Sequence, residues 1–209
     1  MSDSAGRLRL HRFLPFTRAE GPGDRACLWV QGCPIRCAGC AVPWTWDEDA
    51  GEWVDVDDLA ARVLAGPTVE GITFLGGEPF VQAAALARLG ERLRAEGLSV
   101  MTFTGYTLEA LRRARRADYD ALLAVTDLLM DGPFVQSRLD LSRPWVGSAN
   151  QRFHFLTERY RHLEAELASI PNRLEIRLHP DGRFEVNGMI TQAGLHALLG
   201  PSDAKSTSR

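Results

Sequence analysis

Short apolar runs alternate with stretches of helical apolar spacing along most of the chain. The apolar runs predict buried strands over residues 26–30, 71–75, 98–102 and 128–130. Helical spacing between and after these runs predicts helices over residues 56–65, 80–96 and 107–116. Near the end, Pro180-Asp181-Gly182 separates residues 174–179 from residues 183–187. A turn signal between two apolar runs predicts a β-hairpin there.

Strands that alternate with helices favour parallel β-α-β units and hence an α/β fold. The chain has 209 residues, whereas a full eight-fold β/α barrel needs about 250. We therefore expect a partial, open parallel β/α barrel with a C-terminal β-hairpin. We expect residues 1–200 to form a single domain. Residues 201–209 are small and polar, which predicts a disordered tail.

Composition excludes several classes of protein. Hydrophobic residues make up 45% of the chain and charged residues 24%, which is typical of a globular protein rather than a disordered or fibrous one. The net charge of -3 gives no reason to expect a nucleic-acid or membrane partner. We found no apolar run near the roughly 18 residues of a membrane span and no secretory signal. We therefore expect a cytoplasmic protein.

The four cysteines cluster in one short segment. Cys27 lies inside the first apolar run, and Cys33, Cys37 and Cys40 follow in a C-x3-C-x2-C array. A disulfide scaffold spreads its cysteines more widely, so the cluster indicates metal or redox chemistry. Three thiolates at this spacing can hold a [4Fe-4S] cluster with one open iron. A zinc site would need a fourth ligand, which Cys27 could supply, although its apolar context favours a core residue.

Glycine-rich and polar turns follow the predicted strands. Because the carboxyl ends of parallel strands meet at one face, the turns predict an active site there. The two glycines of Gly76-Gly77-Glu78-Pro79 would let the backbone approach a ligand closely. The backbone carbonyls there could accept hydrogen bonds from an ammonium group. The turns are Gly76-Gly77-Glu78-Pro79, Thr104-Gly105-Tyr106, Asp131-Gly132-Pro133 and Ser148-Ala149-Asn150-Gln151.

The cysteine array followed by Gly-Gly-Glu-Pro resembles the radical S-adenosylmethionine (SAM) superfamily. Residues 21–25 and 28–33 are similar to the opening of the glycyl-radical-enzyme activases. Residues 131–134 and 147–152 are similar to segments of the activase branch that serves anaerobic ribonucleotide reductase. The resemblance implies the open barrel of the radical SAM fold. It covers nearly the whole chain.

The resemblance also implies a mechanism. The reduced cluster would cleave SAM to methionine and a 5'-deoxyadenosyl radical, which takes hydrogen from a glycine of a partner enzyme. That partner would be a glycyl radical enzyme, anaerobic ribonucleotide reductase, and the electron donor a flavodoxin- or ferredoxin-like protein. The array Cys33, Cys37 and Cys40 would hold the cluster, with no catalytic side chain beyond these ligands.

The resemblance implies a set of SAM-binding residues as well. Gly76, Gly77 and Glu78 would receive the SAM amino group. Thr104 would meet the SAM carboxylate and Asp131 the ribose. The remaining members of the set, lining the same pocket, are Asn150 and Gln151.

One departure from the family pattern leaves alternatives open. The activases often carry His-Asn-Pro after the third cysteine, whereas this chain has Ala41-Val42-Pro43. The departure puts the partner's identity in doubt. One alternative is a radical SAM enzyme that modifies a peptide or small molecule. Another is a zinc-stabilised binding module without catalysis, in which Cys27 could be the fourth zinc ligand.

Overall fold

A seven-stranded mixed sheet forms the centre of the protein, for which a computed structural model describes residues 6–199. The sheet order is β3-β1-β2-β4-β5-β6-β7. Strands β2, β4, β5 and β6 are parallel, and antiparallel β1, β3 and β7 flank them. The prediction of an α/β fold with a parallel-rich sheet is confirmed. The strands are β1 (Arg7–Thr17), β2 (Arg25–Val30), β3 (Glu52–Asp55), β4 (Gly71–Gly76), β5 (Ser99–Phe103), β6 (Leu128–Asp131) and β7 (Arg152–Phe155).

Five α-helices accompany the sheet in the described part of the chain. Asp55 begins α1 because its carboxylate accepts hydrogen bonds from two backbone N–H groups of the first turn. Residues 79–82 form a 3₁₀ helix, so α2 begins later than the pattern predicts. The helices are α1 (Val56–Leu64), α2 (Ala83–Ala95), α3 (Leu108–Arg113), α4 (Ala117–Val125) and α5 (Gln192–Leu199).

The single helix predicted over residues 107–116 is wrong at its C-terminal end. Thr107 caps α3 by accepting from the Ala110 N–H at 3.2 Å, as its sequence indicates. The helix ends at Arg113, and Arg115 adopts a positive φ of 50°. This left-handed residue reverses the chain, and α4 begins two residues later.

The main core lies between the parallel strands and the helices. Alternate residues of each strand face this core because side chains point to opposite faces of a sheet. Phe80 packs edge-to-face on Tyr119, with ring centroids 5.2 Å apart, and this contact joins the 3₁₀ helix before α2 to α4. The strand residues that form the floor of this core are Ala26, Leu28, Val30, Ile72, Phe74, Val100 and Leu129.

The opposite face of the sheet contains a buried arginine. Arg25 is fully buried at the start of β2. Its guanidinium donates to the Thr73 hydroxyl at 2.6 Å, to Ser99 Oγ at 3.1 Å and to the Tyr160 hydroxyl at 3.0 Å. Tyr160 in turn donates to Glu70 at 2.6 Å. These bonds tie the N-terminal ends of β2, β4 and β5 together, away from the cysteine array.

The C-terminal segment pairs β8 (Leu174–Leu178) with β9 (Phe184–Gly188) in an antiparallel ribbon. Thr17 at the end of β1 donates to Glu175 at 2.6 Å, and the Gly188 N–H donates to Glu20 at 2.9 Å. The ribbon is therefore fastened to β1 and the turn after it. The predicted tail, residues 201–209, lies outside the described residues, and a single domain over residues 1–200 stays a prediction. Among residues 6–199, no helix is both long and apolar enough to cross a membrane.

Arg25→Met should destabilise the protein strongly. The variant keeps apolar volume but leaves buried hydroxyl and carbonyl groups without their charged donor, so we expect a loss of about 3 kcal/mol in the free energy of unfolding. Urea unfolding followed by circular dichroism measures it. The matched control is Arg161→Met, which removes an exposed ion pair with Glu158 and should cost less than about 1 kcal/mol. Equal losses of unfolding free energy in the two variants would contradict the stabilising role assigned to Arg25.

Candidate functional site

The cysteine array forms a loop directly after β2. The Gly32 N–H donates to the Thr45 carbonyl at 2.8 Å, and the Cys33 N–H donates to the Trp46 carbonyl at 3.2 Å. These bonds close the loop against the segment that follows it. Within the loop, Arg36 and Gly39 adopt positive φ angles of 50° and 74°. These reversals turn the backbone twice between the first cysteine and the third.

All three cysteines of the array are half-buried, and one of the three sulfurs accepts a hydrogen bond from a backbone N–H group. The Val42 N–H donates to Cys40 Sγ at 3.5 Å. Burial raises the pKa of the Cys33 and Cys37 thiols, and backbone N–H groups partly offset this effect. The N–H groups that lower the pKa of Cys33 belong to residues 35 and 36 of the same loop, whereas one that lowers the pKa of Cys37 belongs to Phe134.

The fourth cysteine belongs to a different environment. Cys27 is fully buried and packs with Leu14, Trp29 and Leu75. Burial raises the pKa of its thiol far above the usual range, so this group stays protonated and unsuited to binding a metal. Cys27 is a core residue, as its apolar context indicates.

The three loop cysteines fit an iron–sulfur cluster. The three thiols lie on one loop, are partly exposed and have backbone N–H groups nearby. Iron–sulfur clusters bind in environments of this kind. Among residues 6–199, no three His, Cys, Asp or Glu side chains are arranged to bind one metal ion together.

The Gly-Gly turn after β4 lies against the start of the cysteine loop. The Gly77 N–H donates to the Val30 carbonyl and the Glu78 N–H to the Gly32 carbonyl, both at 2.8 Å. A Cβ atom at Gly77 would lie 2.3 Å from the Gly32 carbonyl oxygen. Gly76 has a φ of 107°, and a Cβ there would lie 2.6 Å from Trp29 Cα. The protein's own backbone therefore requires both glycines.

The Glu78 side chain points into the protein and joins two loops. Its Oε1 accepts from the Thr104 hydroxyl at 2.8 Å and from the Phe80 N–H at 3.0 Å, and its Oε2 accepts from the Gly105 N–H at 2.9 Å. The residue is fully buried. Burial outweighs the three donors and raises the pKa of Glu78 to about 7. The carboxylate fixes the Gly-Gly turn relative to the turn after β5.

The turn after β5 reaches the cysteine loop as well. A Cβ atom at Gly105 would lie 2.6 Å from Ile35 Cδ1, so the absence of a side chain allows this contact. The Thr104 hydroxyl also accepts from the Tyr106 N–H at 3.1 Å. Thr104 thus uses its hydroxyl as both donor and acceptor within the protein.

Asp131 at the end of β6 is buried and is the centre of an ion-pair network whose other charged members are partly exposed. Its carboxylate accepts from Arg152 Nη2 and the Leu108 N–H, each at 2.7 Å, and His154 Nε2 lies 2.9 Å away. Arg152 also pairs with Glu109 at 2.7 Å. Burial raises the pKa of Asp131, but these hydrogen bonds outweigh that effect and lower it. The network fixes β7 and the start of α3 to the end of β6.

Asn150 and Gln151 bind the turn after β6 through their amides. Asn150 Nδ2 donates to the Pro133 carbonyl at 2.7 Å, and Gln151 Nε2 donates to the Gly132 carbonyl at 3.1 Å. Gln151 Oε1 accepts from the Gly147 N–H at 2.8 Å, which closes its own loop. Next to this turn, a Cβ atom at Gly39 would lie 2.8 Å from the Gln136 side chain, so the cysteine loop packs here too.

The predicted site residues therefore meet at one end of the parallel sheet, around the cysteine loop. Their side chains, however, are bonded to protein groups. Direct contact of Glu78, Thr104, Asp131 and Gln151 with SAM stays a prediction. Three groups that take part in the site were not predicted from the sequence: Arg152, Ile35 and the Phe134 N–H. Arg152 lies within residues 147–152, which resemble a segment of the activase family, and this resemblance was the available signal.

Comparison with known proteins identifies the family. The profile described as "4Fe-4S single cluster domain" matches residues 19–154. The anaerobic ribonucleoside-triphosphate reductase-activating protein of Vibrio cholerae is 32% identical over 158 residues, which cover 72% of this chain and 99% of that protein. The protein of the same name from Escherichia coli K12 is 32% identical, over 71% of this chain and 99% of its own. The chain belongs to the radical SAM activase family.

Two further proteins match a smaller part of this chain. A putative glycyl-radical enzyme activating enzyme of Haemophilus influenzae is 36% identical over 43% of this chain and 36% of that protein. The crystal structure of QueE from Escherichia coli is similar over 48% of this chain and 53% of that chain, with 22% identity and a TM-score of 0.40. The cofactors of this activase are a [4Fe-4S] cluster and SAM, and the zinc alternative is set aside.

Glu78→Gln should change how the stability of the activase depends on pH. The folded-state pKa of about 7 lies above the ordinary value of 4.5. Between these values the folded protein binds more protons than the unfolded chain, so the wild type loses stability as pH rises. From about pH 5 to about pH 8, the wild type should lose up to about 3 kcal/mol of unfolding free energy relative to the variant.

Urea unfolding at the two pH values, on anaerobically isolated protein, measures this difference. Glu158→Gln is the matched control because its carboxylate is exposed, and it should change the pH dependence by less than about 0.5 kcal/mol. If wild type and Glu78→Gln kept a constant difference at both pH values, the Glu78 carboxylate would not titrate in this range.

Proposed function

We propose that this activase installs a glycyl radical on an anaerobic ribonucleotide reductase. The observation that carries the proposal is the cysteine loop, enclosed by the turns after β4, β5 and β6. The two relatives named as activating proteins of anaerobic ribonucleoside-triphosphate reductase match over 99% of their own lengths. Nearly the whole length of each relative therefore has a counterpart in this chain.

In this proposal Cys33, Cys37 and Cys40 hold the cluster. When bound and reduced, the cluster supplies the single electron that cleaves the sulfonium of SAM. The backbone of Gly76 and Gly77 borders the site where the SAM amino group would bind, because no side chain intervenes. Within the chain, Glu78 keeps this backbone in place through its bonds to the turn after β5.

The remaining proposed SAM-binding residues are Thr104, Asp131, Asn150 and Gln151. Their bonds to neighbouring loops support a role in which they hold the backbone around SAM rigid. Rigid positioning of this kind lowers the cost of orienting the bound substrate. The protein contributes orientation and exclusion of water, while the cofactor supplies the difficult chemistry.

We further propose that the sheet is the open parallel barrel of the radical SAM type. Its parallel part, β2-β4-β5-β6, carries the site at its carboxyl ends, as parallel β/α folds do. Antiparallel β1 and β7 flank this part.

The electron donor in this proposal is a flavodoxin- or ferredoxin-like protein.

The segment after the third cysteine differs from the usual His-Asn-Pro, and in this segment the Val42 N–H donates to Cys40 Sγ. Trp44, which follows it, is 57% exposed.

The target is tested by electron paramagnetic resonance (EPR) on a mixed pair. The reconstituted activase, a reductant, SAM and the anaerobic ribonucleotide reductase of the same genome should together give a glycyl radical signal. The control reductase, with its radical-bearing glycine replaced by alanine, should give no such signal. SAM cleavage without a radical on the wild-type reductase would overturn the proposed target and favour a peptide or small-molecule substrate.

Replacement of each array cysteine by alanine should abolish the cluster. Cys33→Ala, Cys37→Ala and Cys40→Ala each remove one of three ligands, so we expect loss of bound iron and of SAM cleavage. Cys27→Ala is the matched control and should retain both, since Cys27 lies in the core. Iron and sulfide analysis after anaerobic reconstitution measures the outcome. Loss of the cluster in Cys27→Ala would show that the three-ligand assignment is incomplete.

A further inference from the structure

The β8–β9 ribbon runs along β1 towards the end of the sheet that carries the cysteine loop. Glu175 accepts from the hydroxyl of Thr17, which ends β1 beside the start of β2. Glu185 accepts from Arg12, which pairs with the penultimate residue of β2. The cysteine loop begins directly after β2. The tip of the ribbon, residues 179–183, lies beyond Glu185 and therefore at the site end of β1.

The ribbon contacts β1 through polar side chains. Arg177 donates to the Phe16 carbonyl, and Asn187 Oδ1 accepts from Arg12 at 2.9 Å. Side chains at alternate positions share one face of a ribbon. In the register of this ribbon, the side chains of the face towards β1 are Glu175, Arg177, Glu185 and Asn187.

The apolar side chains of the ribbon point away from the protein. Leu178 is 81% exposed, and Phe184, its partner across the ribbon, is 48% exposed. Ile176 lies on the same face and is also exposed. A strand pair on a protein ordinarily buries its apolar face and exposes its polar face. The reversed arrangement leaves an apolar patch next to the tip, as interaction sites do. We call Ile176, Leu178 and Phe184 the tip patch.

The geometry of the ribbon indicates what covers the tip patch. Residues 1–5 and 200–209 contain Met1 as their only large apolar residue, so they do not supply an apolar segment for it. Among residues 6–199, β8 and β9 pair only with each other, so each strand has an unpaired edge. Such edges accept an extended polypeptide as a further strand. An extended segment with apolar side chains at alternate positions fits both the edge and the patch.

We propose that the tip patch binds the reductase, holding an extended segment of it as a further strand of the ribbon beside the site. The proposal rests on the proposed function, because it takes that reductase to be the target. A radical can be installed on a backbone glycine only if the target polypeptide reaches the site end of the sheet. The tip patch lies at that end, so a segment bound there is delivered next to the cysteine loop.

The base of the ribbon is fastened to the loop that borders the site. Asn172, just before β8, donates to the Leu141 carbonyl. After β9, Met189 Cε lies 3.5 Å from the position that a Cβ at Gly147 would take. The Gly147 N–H donates to Gln151, one of the proposed SAM-binding residues. The ribbon therefore has a fixed position relative to the site. A substrate protein needs such alignment, whereas contact between two copies of this chain does not.

The test is the dissociation constant of the holoenzyme and the reductase of the same genome, measured anaerobically by titration calorimetry. A double variant, Leu178→Thr with Phe184→Thr, removes the apolar pair and keeps high strand propensity at exposed positions. We expect the dissociation constant, and the KM for the reductase in radical formation, to rise about tenfold. The kcat, and SAM cleavage without the reductase, should not change. Leu64→Thr is the control, because Leu64 is exposed at the end of α1, on the helical side of the sheet.

Hydrogen exchange in the wild-type holoenzyme tests the bound strand directly. Backbone N–H groups of residues 174–178 or 184–188 should exchange more slowly once the reductase is added, and one short segment of the reductase should be protected as well. This measurement decides if the double variant fails to fold.

Sedimentation of the activase alone tests the other occupant. A dimer of the wild type that dissociates in the double variant would show that a second copy of the chain covers the tip patch. That result would overturn the inference, whereas a wild type that stays a monomer would support it.

The outcomes separate this inference from the proposed function. A glycyl radical on the reductase, with equal dissociation constants in the wild type and the double variant or no protection of the ribbon, would overturn this inference alone. Binding through the ribbon without a radical would support the inference and reject the proposed function. Neither binding nor a radical would overturn both.

Discussion

The buried Glu78 carboxylate is the constraint on which the rest of the site depends. Removing a carboxylate from water is costly, and here three donors, the Thr104 hydroxyl and the N–H groups of Phe80 and Gly105, offset part of that cost. Each donor has to stay in place for the carboxylate to remain buried, so the turns after β4 and β5 are held at a fixed separation. The Glu78 N–H also bonds to Gly32, immediately before the first cysteine of the array. The cluster loop thus begins from the same fixed point.

The side chains of the site bond to neighbouring loops of the protein, so in the proposed function backbone atoms would border the cofactors. Thr104, Asp131 and Gln151 each bond to a neighbouring loop, as Glu78 does. Backbone groups have no rotamers, so a binding surface built from them loses little entropy when a ligand binds. The glycines serve the same purpose, since a Cβ at Gly77 or Gly105 would separate the turns from the cysteine loop. The arrangement is preorganised before either cofactor binds.

The sequence predicted the parallel strands and the convergence of their turns, because apolar runs bounded by glycine are strong local signals. It did not predict β1 or β3: arginines interrupt the apolar pattern of Arg7–Thr17, and Glu52–Asp55 is short and partly exposed. It also missed the division between α3 and α4, because the reversal falls on Arg115 rather than on a glycine. The partners of Glu78 and Thr104 depend on the parallel register of β4 and β5, which no local pattern encodes.

The same limitation applies to the array itself, where the spacing predicted three ligands but not their different surroundings. Cys33 and Cys40 receive N–H donors from nearby residues, so their environment moves with the loop. The Phe134 N–H, in the turn after β6, lowers the pKa of Cys37, and Asn150 and Gln151 tie that turn to the loop before β7. Arg152 at the start of β7 then pairs with Asp131 at the end of β6. A displacement of residues 147–151 would therefore reach the turn after β6 through the bonds of Asn150 and Gln151, and that turn borders the cysteine loop where Gly39 packs on Gln136.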